Sequence, residues 1–115
     1  MRIIAGQFRG RRLSPPKNLP IRPTTDLAKE SLFNILQSRV DLDQCDVLDL
    51  FAGTGSIGFE FMSRGAKRVV AVDNNARCID FIKKTAEILD ITNLFALKND
   101  AFFFLGTSQD RKSVV

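Results

Sequence analysis

Asp49-Leu50-Phe51-Ala52-Gly53-Thr54-Gly55-Ser56-Ile57-Gly58 sets an acid ahead of three glycines spaced GxGxxG. In such a run the first glycine permits a tight turn, the second lets a ligand approach the backbone, and the third brings a helix close to a strand. Asp73 follows Gly53 at the interval, about 20 residues, at which an acid at a strand tip accepts hydrogen bonds from the ribose hydroxyls of an adenosine ligand. An acid there otherwise caps the next helix. Asp100, after Asn99, ends a further apolar run and suits an adenine amino group, with Ala101 or Phe102 against the ring; the plainer reading is an Asx turn. Phe51 and Asn74 flank the first two acids and join the cofactor-contact candidates.

Asp49 separates two ligand classes. An acid before the glycine turn repels a pyrophosphate, whereas a ligand bearing a sulfonium and an amino group is attracted to it in a partly desolvated cleft. The set Asp49, Gly53, Gly55, Asp73 and Asp100 therefore points to S-adenosyl-L-methionine. A nicotinamide-dependent oxidoreductase is the alternative reading of the glycines. For Asp49 itself the alternative is pairing with amides of its own loop.

These residues need strand tips to carry them. From Cys45 the pattern is strand, glycine turn, helix, repeated, as in consecutive βαβ units of a parallel sheet. The predicted strands are Val47 to Phe51, Arg68 to Asp73 and Phe95 to Lys98. The predicted helices are Ile57 to Arg64, closed by Gly65, and about 75–89, capped by Asn74 or Asn75. Upstream, Thr24 and Thr25 offer caps for a helix over about 26–39, whose stripe of Ala28, Leu32, Phe33, Ile35 and Leu36 is expected to pack on the sheet. A short apolar helical turn is expected from Ala101 to Leu105. The fold class is α/β, a Rossmann-like arrangement with about three parallel strands. It divides into an N-terminal β-hairpin arm over 1–25 and a cofactor-binding domain over 26–115.

The arm is the basic part of the chain. Residues 1–25 hold Arg2, Arg9, Arg11, Arg12, Lys17 and Arg22 with no acid, while the rest carries 11 basic and 13 acidic residues. Such an arm suits a polyanion. Cys45 and Cys78 lie far apart in the sequence and there is no His, so neither a CxxC metal pair nor a Cys/His nucleophile is available; no metal is expected. No stretch approaches the ~20 apolar residues of a membrane span, and the N-terminus lacks a secretion signal, so a cytoplasmic location is expected.

The run from Asp49 to Gly58 resembles motif I of class I methyltransferases. Together with Gly6-Gln-Phe-Arg-Gly-Arg-Arg-Leu13, Arg22-Pro-Thr-Thr-Asp26, Lys29-Glu30 and Phe33-Asn34, it is similar to the RsmD type, which modifies guanine N2 in small-subunit ribosomal RNA. The resemblance covers about residues 1–105. It implies S-adenosylmethionine as cofactor, with Asp49, Gly53 and Gly55 around its methionine part, Asp73 at the ribose and Asp100 at the adenine. Arg22, Pro23 and Thr24 would close over the methionine end, with Arg22 alternatively on RNA. Arg9, Arg11 and Arg12 would contact phosphates, unless they serve only as a solvated hairpin edge. The partner implied is small-subunit rRNA or an assembling ribosomal subunit.

The family's Asn/Asp-Pro-Pro-Tyr/Phe tetrapeptide, which holds the target amine and stacks on the base, is absent: no proline lies beyond Pro23. No catalytic residue is therefore assigned, and a truncated chain is expected. A non-catalytic cofactor- or RNA-binding module is the second reading, and self-association through an exposed sheet edge is a further expectation.

Overall fold

The computed structural model describes residues 1–19 and 24–100. Helix α1 spans Asp26–Arg39, β1 Asp46–Asp49, α2 Ser56–Ser63, β2 Arg68–Asp73, α3 Ala76–Ile88 and β3 Leu94–Lys98. The strands form one parallel sheet in the order β1-β2-β3, with Asp49 beside Ala71 and Asp73 beside Lys98. Parallel neighbours require crossover connections, and α2 and α3 supply them.

The period-two alternation of a strand sorts the side chains onto two faces. Val47, Val69, Ala71, Leu94 and Ala96 share a core with Phe59, Met62, Ile79, Ile82 and Ala86 of α2 and α3. Burying a side chain the size of Phe59 or Ile82, each with no exposed surface, contributes about 1.5–3 kcal/mol. Leu48, Leu50, Val70 and Val72 form a smaller cluster on the other face. Asp49 and Asp73 have the parity of Val47 and Ala71, so both carboxylates leave the sheet on the helical side, at its carboxyl edge.

The helix ends follow local chemistry. Thr25 caps α1 by accepting from the Ala28 N–H, and Asn75, not Asn74, caps α3 by accepting from the N–H groups of Arg77 and Cys78. β1 stops at Asp49, so that acid ends the strand instead of standing within it, and Leu50 and Phe51 belong to the turn. The larger correction concerns α1. Its buried residues are Lys29 and Phe33, whereas Leu32 and Ile35 of the expected stripe are 40% and 57% exposed. Phe33 and Leu36 of the stripe do reach the core shared with the sheet, the Phe33 ring T-shaped against Phe61 at 4.7 Å. Among the described residues no helix is long and apolar enough to cross a membrane.

The basic arm pairs back on itself. Arg2 and Arg12 form an antiparallel bridge, and the Ile3 and Leu13 N–H groups donate to Arg11 O and Met1 O at 3.0 and 2.9 Å. Ile3 and Leu13 are buried in the same core as the sheet.

Candidate cofactor cleft and basic arm

The glycine turn folds against both strand tips. Gly53 and Gly55 have φ of 56° and 81°, in the left-handed region that glycine enters without a Cβ penalty. The Gly53 N–H donates to Asp73 Oδ2 at 2.9 Å, and the Asn75 N–H donates to Asp73 Oδ1 at 2.9 Å. Asp73 thus clamps the glycine turn and the start of α3 at once, and still has lone pairs for a ligand. Asp49 Oδ1 accepts from the Phe51 N–H at 3.3 Å. Burial raises the Asp49 pKa, the Phe51 N–H opposes the rise, and the nearby Asp73 carboxylate adds to it. The two acids and the turn therefore lie together at the carboxyl edge of the sheet, and each acid already holds a backbone amide.

Close packing accounts for the second and third glycines. A Cβ at Gly55 would lie 2.9 Å from Ile82 Cγ1 and 3.0 Å from Phe59 Cε2, and one at Gly58 would lie 3.2 Å from Val69 Cγ1. Gly55 is constrained from inside the protein, by α3 and α2, whatever approaches from outside. Gly58 brings α2 against β2.

The third acid is next door. The Asn99 N–H donates to Asp73 O at 3.0 Å, which sets the end of β3 against that of β2, and the Asp100 N–H donates to Asn99 Oδ1 at 2.8 Å. Asn74 is exposed beside Asp73 and Thr24 is exposed before α1. Phe51 is 74% exposed, its ring turned to solvent and available as a contact surface. The arm's connecting segment also reaches this edge, because Arg77 donates to both the backbone and side-chain oxygens of Asn18. Arg22, Ala101 and Phe102, with the turn expected over Ala101 to Leu105, lie outside the described residues.

Arg9, Arg11 and Arg12 are exposed on the arm, and the arm is seated on α2. Glu60, fully buried, accepts from the Ile4 N–H at 2.9 Å and the Ala5 N–H at 3.1 Å. The Phe8 N–H donates to Ser63 Oγ and the Gln7 N–H to Ser63 O. Gly6, at φ 87°, passes so close that a Cβ would lie 1.9 Å from Ser63 O. Glu60 also pairs with Arg64 at 2.8 Å and Lys29 at 3.4 Å, and the Arg64 guanidinium stands 4.6 Å over the Phe33 ring. The sequence alone assigns no role in seating the arm to Lys29, Glu60, Ser63 or Arg64. The available signal was Glu60, a lone acid among Ile57, Phe59, Phe61 and Met62 in a short apolar helix.

Cys45 and Cys78 are free thiols, and desolvation raises both pKa values, favouring the protonated form. No group of three or more acidic, Cys or His side chains suited to a metal occurs among the described residues.

"Ribosomal RNA small subunit methyltransferase D" of Haemophilus influenzae is 43% identical over 89 residues, covering 77% of this chain and 45% of that protein. The Escherichia coli protein of the same name is 35% identical over 115 residues, covering all of this chain and 57% of that one. A solved structure described as a putative methyltransferase yhhF from Escherichia coli superposes with a TM-score of 0.81 at 33% identity, over 91% of this chain and 55% of that chain. The chain thus spans about half the length of the curated relatives it matches. The fold is the Rossmann-like α/β fold of methyltransferases. The family model described as "Conserved hypothetical protein 95" matches residues 1–114, and the chain belongs to that family, the RsmD-type methyltransferases.

Proposed function

We propose that this chain supplies the S-adenosylmethionine cleft and the RNA-docking arm of a methyltransferase that acts on guanine N2 of small-subunit rRNA. The carrying observation is the pair of carboxylates, Asp49 and Asp73, at adjacent strand tips on one face, with the Gly53 amide donating to Asp73. The donor set fits a cationic nucleoside: an acid of raised pKa gains from a sulfonium or ammonium, and Asp73 and Asp100 are acceptors for hydroxyl and amino groups. A pyrophosphate would be repelled by the same two carboxylates. When bound, the cofactor supplies a methyl group on a sulfonium. The residues of this chain hold and orient it, and Arg9, Arg11 and Arg12 dock the RNA backbone without reading sequence. The relatives' names support rRNA as the substrate class.

Calorimetric titration with S-adenosylhomocysteine and with NAD tests the cofactor. The expected result is binding of the former, micromolar or weaker, and none of the latter; the reverse order overturns the assignment. Methyl transfer to RNA is expected from a protein carrying this chain together with the base-holding tetrapeptide. Residues 1–115 alone are expected to transfer none, as positioning of the amine is most of the catalysis.

A further inference from the structure

Lys29 is 1% exposed, and it shares the acid Glu60 with Arg64, also buried. The cluster holds two cations and one anion, so Glu60 keeps a partner without Lys29. A buried ion pair is by itself weak evidence for stability, and this ammonium is distinguished by what it joins. Its Nζ donates to Arg2 O at 2.5 Å and to Ser56 Oγ at 3.1 Å. Arg2 is the residue bridged to Arg12 in the basic arm, and Ser56 follows Gly55 at the start of α2. A second contact runs in parallel: Thr54 Oγ1 donates to Met1 Sδ at 2.9 Å. The arm backbone and the glycine turn are thus joined at two points, the buried Lys29 ammonium and the Thr54–Met1 contact.

We infer that Lys29 is a positioning residue that couples RNA docking on the arm to cofactor binding in the glycine turn. The inference rests on the function proposed above. A ligand in the turn orders Gly53 to Ser56, and RNA on Arg9, Arg11 and Arg12 orders residues 2–12. With the two segments tied through the Lys29 ammonium and ordered together, ordering either lowers the cost of ordering the other, and the effect is reciprocal.

The test is the affinity of the 115-residue chain for S-adenosylhomocysteine, with and without a short guanine-containing RNA hairpin. Wild type is expected to bind the nucleoside about fivefold or more tightly with RNA present. Lys29→Met is expected to lose that enhancement, while its affinity for each ligand alone and the salt dependence of RNA binding stay as in wild type. An arm merely detached by the substitution would instead lower the salt dependence, because fewer phosphates would be neutralised. Ser56→Ala keeps the ion pairs and removes only the link to the turn, so it is expected to lose the enhancement even if Lys29→Met fails to fold. An enhancement that survives in Ser56→Ala overturns the inference, as does a wild type in which RNA leaves nucleoside affinity unchanged. A wild type that binds no S-adenosylhomocysteine overturns the cofactor reading together with it.

Discussion

Asp49 carries opposing demands. Burial and Asp73 raise its folded-state pKa above the unfolded value, so between the two values the folded chain holds a proton that the unfolded chain has released. Stability from this group is full below the unfolded pKa and is lost as pH rises through the raised one. Asp49→Asn removes that loss, so the variant is expected to match wild type in acid and to exceed it at neutral pH in urea melts. Its affinity for S-adenosylhomocysteine is expected to fall by about 1–3 kcal/mol with the loss of a charged partner, and wild-type affinity is expected to weaken as pH drops through the raised pKa. An Asn variant that is less stable at neutral pH, or binds as well, contradicts this account. Asp73 was legible as a strand-tip acid from its spacing alone. Its two amide partners were not, because the donor on Gly53 depends on how the turn folds back. Asp73→Ala is therefore expected to lower both nucleoside affinity, by about 1–3 kcal/mol, and fold stability; stability unchanged by the substitution would mean that the clamp is idle.

Among the elements, those set by local chemistry were legible and those set by distant partners were not. β2 runs over Arg68–Asp73 as its β-branched run predicts, and α1 over Asp26–Arg39 as its cap predicts. The face that α1 buries was legible at Phe33 and Leu36 but not at Lys29, a polar residue by type that is drawn inward by the acid Glu60 far along the chain on α2. Periodicity has no knowledge of such a partner. The arm's seat was equally hidden, as it joins Ala5 and Phe8 to Ser63, well beyond the reach of any local pattern. Gly6→Ala places a Cβ on the Ser63 carbonyl at an unfavourable φ, and a loss of about 2 kcal/mol or more is expected in thermal or urea unfolding. At the other end of the domain, Asp90 holds φ of 59° just after the C-cap of α3, where glycine is the usual occupant. Asp90→Gly is expected to stabilise by about 0.5–1 kcal/mol. A loss in that variant would show that the Asp90 side chain has a use the cap geometry does not reveal.

At the scale of the whole molecule, two asymmetries dominate, one of charge and one of cover. The arm's basicity is set against a slightly acidic remainder, so RNA binding is expected to weaken steeply with salt. Replacing Arg9, Arg11 and Arg12 by Ala is expected to flatten that dependence by about 0.7–0.9 in log–log slope for each phosphate left without its arginine. The second asymmetry concerns the sheet. Among the described residues α2 and α3 both serve the face of Val69 and Ala71, and the other face carries Leu48, Leu50, Val70 and Val72 with Phe95 and Leu97, the last two 48% and 40% exposed. Parallel sheets are stable when both faces are covered, and β1 offers a further apolar hollow of about 240 Å³ beside Leu32, Leu36 and Phe51. The 115-residue chain is therefore expected to self-associate reversibly, with an apparent mass in light scattering that rises with concentration. Phe95→Lys with Leu97→Lys is expected to abolish the rise without loss of helical signal, because both side chains point away from the α2 and α3 core. A wild type that stays monomeric at high concentration would mean that this face is already covered within one chain.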